Sequence, residues 1–226
     1  MKVATWNIER LKHKRLLNDI ISSCEQVQAD IIVLTETDEL VRLNYSNCFK
    51  TPTPYDMRIP RFEQQLHYEA TEHRISIYTN YKCVRQHTTF DKYTALCVEL
   101  ETEKGNLLVY GTIIGIHGNR RSSYMEDLMK QIQDYKRLSS RVSNLCICGD
   151  YNCSFADNYY FTKDGRAQIL QSFEENNIEI LTAGRPSCID HIAVSKHFII
   201  DSEIQIEEWN QEKTMSDHKG IAITLS

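Results

Sequence analysis

Apolar residues along the chain recur at two spacings, one typical of buried β-strands and the other typical of amphipathic helices. Residues 2–8 and 30–36 are predicted to form strands, and the continuous apolar run at 31–34 indicates a strand that is covered on both faces. Between these strands, apolar side chains at helical spacing predict one amphipathic helix: Leu17, Ile20, Ile21, Cys24 and Val27.

The alternation of strands and helices continues to the end of the chain. Ser123 and Glu126 form a capping-box pattern at the start of a second predicted helix, whose apolar stripe consists of Met125, Leu128, Met129, Ile132 and Tyr135. A third helix is predicted over 165–176. Strand patterns lie at Ile75 and Ile77, at Leu96, Val98 and Leu100, and over 107–114, 145–149, 189–194, 202–208 and 220–225. The pattern predicts one α/β domain, residues 1–226, with two sheets covered by helices.

Two stretches lack this periodicity. Residues 40–72 contain three of the four prolines and are predicted to form a long loop, which in a compact domain is either functional or disordered. Residues 151–161 contain a group of aromatic side chains that either pack in the core or stack on a ligand: Tyr151, Phe155, Tyr159, Tyr160 and Phe161.

Polar residues of the kind that bind metal ions and phosphates interrupt the apolar strands near their ends. A carboxylate or amide at the end of a buried strand costs desolvation energy unless it is paired or holds a metal. Several such strand ends in one domain therefore indicate a common cleft. The residues concerned are Asn7, Glu36, Asp150 with Asn152, Asp190 with His191, and Asp217 with His218.

These residue types suit a magnesium site that acts on a phosphate ester. Glu36, with nearby Asp and Asn side chains, offers hard oxygen ligands, whereas the set has too few thiolates or imidazoles for zinc. His218 can form an oriented pair with a carboxylate, for which Asp217 and Asp190 are both available. Asp150 can hold or deprotonate an attacking water.

Five short motifs, spread over residues 6–218, resemble in their sequence order those of the endonuclease/exonuclease/phosphatase family, the superfamily that shares the deoxyribonuclease I fold. They are Trp-Asn at 6–7, Leu-Thr-Glu at 34–36, Gly-Asp-Tyr-Asn at 149–152, Ile-Asp-His-Ile-Ala-Val-Ser at 189–195 and Ser-Asp-His at 216–218. The resemblance implies a four-layer α/β sandwich, in which two packed mixed β-sheets are flanked by helices. It also implies hydrolysis of phosphoester bonds with Mg²⁺ or Mn²⁺.

The resemblance implies which residues serve the metal ion. Glu36 matches the metal-binding glutamate of the family, and Asn7 matches the asparagine that supports the metal and the phosphate. Asp217 matches the aspartate that lies near the metal. Glu9 stands where relatives often carry an acidic residue, which implies an indirect role at the metal.

The resemblance likewise implies which residues carry the chemical step. Asp150 matches the aspartate that orients or activates the water, and Asn152 beside it matches a residue that binds the phosphate. His218 matches the histidine that contacts the scissile phosphate, and Asp190 matches the carboxylate that pairs with it. The family therefore predicts one centre built from these four residues.

One position departs from the family pattern. Relatives commonly place a His or Tyr near the scissile phosphate, at the end of the strand that matches 107–114, where this chain has Thr112 and Ile113. Tyr110 and His117 are near in sequence, and both are interpreted as structural rather than catalytic residues. Which residue protonates the leaving group is therefore open, and so is the substrate preference.

Composition narrows the range of functions. Hydrophobic residues make up 41% and charged residues 25% of the chain, as in ordinary soluble globular proteins. The net charge of −5 excludes a protein held on nucleic acid by bulk positive charge, although it allows a local basic cleft.

No apolar run approaches the roughly 20 residues of a membrane span, so we expect no membrane partner, and no obligate protein partner is indicated. Scattered cysteines and the lack of a signal-peptide pattern predict reduced thiols and a cytoplasmic protein.

We therefore expect a Mg²⁺-dependent hydrolase of phosphoester bonds, foremost a nuclease or phosphodiesterase that acts on nucleic acid. The basic residues that can face the cleft are few: Arg58, Arg61, Arg120 and Arg121. Single strands, ends or damaged sites are therefore the expected substrates, in preference to intact duplex. The alternatives are a phosphatase of small phosphorylated molecules and a catalytically silent binding module on the same fold.

Overall fold

The computed structural model of the chain describes residues 1–54, 68–115, 122–142 and 144–226, with only the backbone of Ser122 and Ser123. The helices are α1 (Leu17–Gln26), α2 (Ser122–Ser139) and α3 (Lys163–Glu175). The strands are β1 (Lys2–Asn7), β2 (Ile31–Asp38), β3 (Asn47–Lys50), β4 (Glu72–Thr79), β5 (Lys82–His87), β6 (Ala95–Thr102), β7 (Gly105–Ile113), β8 (Leu145–Asp150), β9 (Ile178–Ile180), β10 (Asp190–Ser195), β11 (Ile204–Trp209) and β12 (Gly220–Leu225). Short 3₁₀ turns lie at Glu9–Leu11, Lys14–Leu16 and Lys196–Ile199.

The strands form two six-stranded mixed sheets. The first has the order β11-β12-β1-β2-β4-β3, and the second has the order β5-β6-β7-β8-β10-β9. Each sheet contains one parallel pair near its centre, β1 with β2 and β7 with β8, while the remaining pairs are antiparallel. The last residues of β1 and β8, Asn7 and Asp150, are in contact, so the central strands of the two sheets run toward one common end of the domain.

Alternating side chains on each central strand face different layers. Ile31 and Val33 pack against the second sheet in the core between the sheets, whereas Ile32 and Leu34 pack against α1 on the outer face. Leu108 and its neighbours on the second sheet pack in the same way against α2 and α3. The continuous apolar runs are explained by this double coverage, and the four-layer α/β sandwich that was predicted is confirmed.

Three strands were not predicted from the sequence. β3 lies inside residues 40–72, so the prediction of one continuous loop there was wrong. β5 and β9 were also missed, because β3 and β5 are edge strands with largely unburied residues and β9 is only three residues long. Residues 55–67, within the predicted loop, lie outside the described part of the chain.

The helices begin and end close to their predicted bounds. α3 starts at Lys163, where the Thr162 hydroxyl accepts a hydrogen bond from the Gly165 amide at 3.1 Å and caps the helix. In α2 the buried face includes Leu128, whereas Met129 is 41% exposed, so its predicted place in the apolar stripe was wrong. The predicted cap, Ser123, lies one residue inside the helix, and its side chain is outside the described residues.

All eight cysteines are free thiols, and six of them are buried. Buried thiols of this kind pack as small apolar groups. Among the described residues, none of the helices combines the length and the apolar character that crossing a bilayer requires.

Candidate active site

Polar residues from both sheets meet at the end toward which the central parallel strands run. Asn7 is the last residue of β1, and Asp150 is the last residue of β8. The Asn7 Nδ2 atom donates a hydrogen bond to Asp150 Oδ2 at 3.1 Å, which joins the two sheets directly. Asp190 begins β10 and pairs in register with Asp150. The structure thus brings together predicted site residues that lie far apart in the sequence.

His218 forms the shortest contact of this group with a buried carboxylate. Its Nδ1 atom lies 2.6 Å from Oδ2 of Asp190, which is 1% exposed. Burial by itself would lower the pKa of His218, but the charge of Asp190, its hydrogen bond and the charges of Asp150 and Asp217 raise that pKa to about 10. The imidazole is therefore a cation at neutral pH.

The backbone around His218 is fixed by neighbouring polar groups. The His218 carbonyl oxygen accepts hydrogen bonds from Trp6 Nε1 at 3.1 Å and from Asn210 Nδ2 at 2.7 Å. The Ser216 hydroxyl donates to the Asn7 carbonyl oxygen at 2.7 Å and accepts from the His218 amide at 3.1 Å. Trp6 and Ser216 belong to the quoted motifs, whereas no sequence signal pointed to Asn210.

Asp150 is buried, and every hydrogen bond that fixes its carboxylate comes from an amide. Besides Asn7, the Asn152 amide donates to Oδ1 at 2.8 Å, and Asn152 Nδ2 lies 3.3 Å from Oδ2. Burial raises the pKa of Asp150 to about 7; the positive His218 opposes this shift, and the negative Asp190 adds to it. A carboxyl group with such a pKa can accept a proton from water near neutral pH.

Asn152 is held in a conformation that points its side chain back into the site. Its φ angle is 48°, in the left-handed region that asparagine tolerates better than most residues. Its Nδ2 atom also donates to the Ile114 carbonyl oxygen at 2.9 Å. The Gly149 that precedes Asp150 has a φ of 138°, and a Cβ there would lie 2.0 Å from the Thr112 carbonyl oxygen. The Gly-Asp-x-Asn motif is therefore a backbone requirement as well as a set of functional groups.

Glu36 does not end its strand, as the sequence suggested, but lies two residues before the end of β2. Its φ angle is 47°. In the pairing of β2 with β4, Thr35 and Thr37 have partner residues, whereas Glu36 between them is left out of the register. This irregularity re-aims the side chain, as bulges near functional sites do. Burial raises the pKa of Glu36, while the positive charges of His218, Arg10 and Arg74 oppose the shift and Asp217 adds to it.

Asp217 and Glu9 lie on the exposed side of this group. The Asp217 side chain is 67% exposed, with Oδ1 3.5 Å from Nε2 of His218. Glu9 accepts a hydrogen bond from the Asp217 amide at 3.3 Å, and its own amide donates to Asn7 Oδ1 at 2.9 Å. Lys12 forms an ion pair with Glu9 at 2.5 Å. Glu9 therefore links Asn7 and Asp217 indirectly.

The donor set around Glu36 is of the kind that suits a hard divalent cation. The described residues include no group of three or more His, Cys, Asp or Glu side chains placed to hold a metal ion. A magnesium ion needs only one or two carboxylates, because waters and substrate phosphate complete its shell. Glu36, Asp217 and the side-chain amide of Asn7 offer such oxygens, and burial raises the pKa of Glu36, so a bound cation would offset the cost of its buried charge.

A pair of arginines beside Glu36 was missed by the sequence reasoning. Arg74, on β4, is 1% exposed, and its Nη2 donates to the Tyr68 hydroxyl at 2.8 Å. The Nε and Nη1 atoms of Arg74 have no hydrogen-bond partner within the described residues. Arg10 lies over the same Tyr68 ring, 4.4 Å from its centroid, and pairs with Glu72 at 2.8 Å. An arginine directly before the alternating Ile75 and Ile77 of a buried strand was the available signal.

The strand that departs from the family pattern supplies no replacement group among its described residues. Thr112 and Ile113 are fully buried, and the Thr112 hydroxyl bonds to Gln131. Tyr110 is fully buried as well, and its hydroxyl donates to Asp134 at 3.1 Å, so its geometry agrees with a structural role. His117 and four arginines of interest lie outside the described residues: Arg58, Arg61, Arg120 and Arg121.

His191, the neighbour of Asp190, belongs to the core. It is fully buried, and its two ring nitrogens lie 3.0 Å from the Thr182 hydroxyl and 3.0 Å from the Cys153 carbonyl oxygen. Burial lowers its pKa to about 4. It therefore stays neutral and supports β10 from behind Asp190.

Comparison with known proteins gives one family and one fold. The family model described as Endonuclease/Exonuclease/phosphatase family matches residues 4–218. The chain is similar in structure to a 3′ phosphatase from Neisseria bound to product DNA hairpin, with a TM-score of 0.71, 14% identity and coverage of 100% of this chain and 99% of that chain. It is similar to an AP endonuclease from Archaeoglobus fulgidus, with a TM-score of 0.71, 13% identity and coverage of 100% and 99%. An endonuclease/exonuclease/phosphatase family protein from Leptotrichia buccalis has a TM-score of 0.72, 12% identity and coverage of 100% and 99%. A search of curated proteins found no match.

Proposed function

Because the chain belongs to the endonuclease/exonuclease/phosphatase family, we propose that it is a divalent-metal-dependent hydrolase of phosphoester bonds whose substrate is nucleic acid. The observation that carries this proposal is the cluster at the common end of the two sheets. There a cationic His218 paired with Asp190 lies beside Asp150, whose pKa is about 7. A group that is cationic at neutral pH and a carboxyl base at one site suit attack of water on a phosphate ester.

Each residue of the cluster has a role that its contacts favour. Asp150 takes the proton of the attacking water, since its carboxylate is oriented by Asn7 and Asn152. His218 donates its Nε2 proton in a hydrogen bond to a phosphate oxygen and stabilises the charge that develops there, while Asp190 keeps it charged and oriented. The side-chain Nδ2 of Asn152 contributes a neutral donor to the same phosphate, in exchange for its 3.3 Å contact with Asp150 Oδ2.

Glu36, Asn7 and Asp217 are the residues that we assign to Mg²⁺ or Mn²⁺. A bound divalent ion supplies a Lewis acid that polarises the phosphate and offsets its negative charge. The negative charge of Asp217 adds to the burial that raises the pKa of Glu36, so a cation between the two carboxylates is favourable. Glu9 acts indirectly, through its contacts with Asn7 and Asp217.

The substrate part of the proposal rests on charge and on the named functions of similar structures. One similar structure is a 3′ phosphatase with a DNA hairpin, and another is an AP endonuclease, at 14% and 13% identity. The net charge of −5 disfavours a grip on long duplex DNA, which relies on many phosphate contacts. Single strands, ends and damaged sites are therefore the substrates that we propose.

The proposal is tested with purified protein and a panel of phosphoesters. Single-stranded, double-stranded and abasic DNA, RNA, nucleotides and phosphoinositides are incubated with Mg²⁺, and parallel reactions contain EDTA. The variant Asp150→Asn, purified in the same way, controls for contaminating nucleases. We expect Mg²⁺-dependent cleavage of nucleic acid that falls only shallowly between ~50 and 200 mM salt, because few phosphates are contacted.

Other outcomes would change the proposal. A steep salt dependence on intact duplex would contradict the preference for single strands and ends. Hydrolysis of small phosphorylated molecules without cleavage of nucleic acid would support the phosphatase alternative. Binding without turnover of any substrate would support the silent binding module.

A further inference from the structure

Tyr159 is the aromatic residue of the segment 151–161 whose ring is most exposed; Tyr160, which lines the same cavity, is partly buried. Tyr151 is fully buried, and Phe155 packs against it and against His191. Phe161 lies under Arg166, with 3.6 Å between the guanidinium carbon and the ring centroid. Tyr159, by contrast, is 51% exposed, and it is the one aromatic among the exposed large hydrophobic side chains of the described residues.

Tyr159 borders a cavity that also contains the candidate catalytic pair. The cavity has a volume of about 280 Å³, and its lining includes Tyr159, Lys213, Asn152, Asp190 and His218. This volume is slightly below the range of ligand pockets for drug-sized molecules, ~300 to 1,000 Å³. The cavity therefore suits a single nucleoside better than a base pair.

The cation nearest to the ring is Lys213. Its Nζ atom donates to the Tyr159 hydroxyl at 2.9 Å and lies 4.7 Å from the ring centroid. Within the described residues, Lys213 forms no ion pair with a carboxylate, whereas Lys219 in the same lining is paired with Glu208 at 3.2 Å. The positive charge of Lys213 is therefore available to a phosphate, whereas the charge of Lys219 is largely neutralised by Glu208.

Hydrogen bonds within the protein fix the backbone of the segment that carries Tyr159. The Asp157 carboxylate accepts two hydrogen bonds from backbone amides, one on Oδ1 from Tyr159 at 3.0 Å and one on Oδ2 from Ser187 at 2.7 Å. Arg166 Nη2 donates to the Asp157 carbonyl oxygen at 2.5 Å. Because these bonds already order the backbone that carries Tyr159, little backbone entropy is lost when a base stacks on its ring.

We propose that this cavity is a nucleotide subsite. The Tyr159 ring stacks on the base of the nucleotide next to the scissile phosphate, and Lys213 contacts a phosphate of the same strand. The inference rests on the proposed function and gives it a specific ligand class, an unpaired nucleotide. Every base has a face that can stack, so this subsite recognises an unpaired base without selecting its identity.

Binding is measured first, in EDTA, so that the result does not depend on turnover. Fluorescence anisotropy reports the affinity for a fluorescein-labelled single-stranded oligothymidylate. We expect Tyr159→Leu to weaken binding about tenfold or more, since stacking contributes substantially for each base. We expect Lys213→Gln to reduce the slope of log K against log salt by about 0.7, the value for one phosphate contact on a single strand.

The matched control is Tyr81→Leu. Tyr81 lies on the turn between β4 and β5, at the opposite end of the sheets from Asp150, and its hydroxyl donates to Glu103 at 2.8 Å. This variant should bind the oligonucleotide as the parent protein does. Equal losses in Tyr81→Leu and Tyr159→Leu, or affinity within about twofold of the parent in Tyr159→Leu, would overturn the subsite, and so would a parent protein that does not bind the oligonucleotide.

A second measurement compares two esters with the same leaving group. Thymidine 5′-(4-nitrophenyl phosphate) carries a nucleoside, whereas methyl 4-nitrophenyl phosphate does not. We expect Tyr159→Leu to reduce the ratio of kcat/KM for the first ester to that for the second about tenfold. An unchanged ratio would overturn the role of Tyr159 even if both esters are hydrolysed. Loss of oligonucleotide binding in Tyr159→Leu, together with a parent protein that hydrolyses neither these esters nor any member of the phosphoester panel, would support the subsite and refute the proposed hydrolysis.

Discussion

The Nδ1 atom of His218 lies 2.6 Å from Oδ2 of Asp190, and this contact joins the segment before the last strand of one sheet to the other sheet. Asp190 is 1% exposed, and its Oδ1 atom has no hydrogen-bond partner within the described residues. A buried carboxylate in this position is favourable mainly because the imidazole beside it is charged. The pair therefore keeps a cation ready at neutral pH on the wall of the cavity.

The first prediction concerns this pair. Asp190→Asn removes the negative charge that raises the pKa of His218 most. Burial, which lowers that pKa, is then no longer outweighed, so the pKa of His218 should fall from about 10 toward the usual 6.5 or below. Titration of the imidazole nitrogen shifts by NMR measures this value. A His218 that still titrates near pH 10 in the variant would show that another group holds the proton.

The second prediction concerns the metal ligand. Glu36→Gln should weaken Mg²⁺ binding and lower turnover by orders of magnitude, because the amide removes the charge that attracts the ion. Calorimetric titration with Mg²⁺ measures the affinity, and circular dichroism checks that the fold is intact. Glu25→Gln, an exposed change on α1, serves as the control. Equal Mg²⁺ affinity in Glu36→Gln and the parent protein would assign Glu36 another role.

The third prediction separates chemistry from binding. Asp150→Asn and His218→Ala should each lower kcat by ~10²–10⁴-fold and change KM far less, because a proton acceptor and a charge-stabilising cation act mainly in the transition state. Steady-state kinetics on the best substrate of the panel gives both constants. Nearly normal kcat in either variant would refute the role of that residue.

The fourth prediction is a pH dependence of stability that arises from His191. Its pKa in the folded protein is about 4, below the usual 6.5, because burial disfavours the charged form. The stability that the neutral ring contributes is complete above pH 6.5 and is lost as the pH falls toward 4, by at most about 1.4 kcal/mol for each pH unit. Urea unfolding over this range measures the slope, which should be smaller in His191→Gln. Identical slopes in both proteins would mean that His191 does not titrate as a buried group.

The fifth prediction tests the backbone of the Gly-Asp-x-Asn motif. Gly149→Ala should lower the free energy of unfolding by about 2–4 kcal/mol, because the new Cβ would lie 2.0 Å from the Thr112 carbonyl oxygen at a φ of 138°. Gly184→Ala is the control, since no atom lies within 4 Å of a Cβ there, and we expect a change within about 0.5 kcal/mol. Similar unfolding free energies for the two variants would show that the strand relaxes around the added methyl group without cost.

Sequence patterns predicted most of the central structure because burial on two faces leaves a strong signal. The run Ile31–Leu34 is apolar without interruption, since alternate side chains face the other sheet and α1. The final strand was predicted over the same residues that form β12, Gly220–Leu225. The edge strands β3 and β5 were missed because most of their residues remain partly exposed, so that no apolar period marks them.

The sequence alone also determined which residue types gather at the candidate site, since motifs in order carry that information. Residue types alone left the carboxylate partner of His218 open between Asp217, its neighbour in the chain, and Asp190, which the family resemblance implied. Packing of the two sheets decided for Asp190, at 2.6 Å against 3.5 Å for Asp217. Tyr151 and Tyr159 are the same residue type in one segment, yet the tertiary structure buries the first and exposes the second. Local periodicity records only which side of an element is apolar, whereas contacts between elements depend on how the sheets pack and cannot be read from spacing.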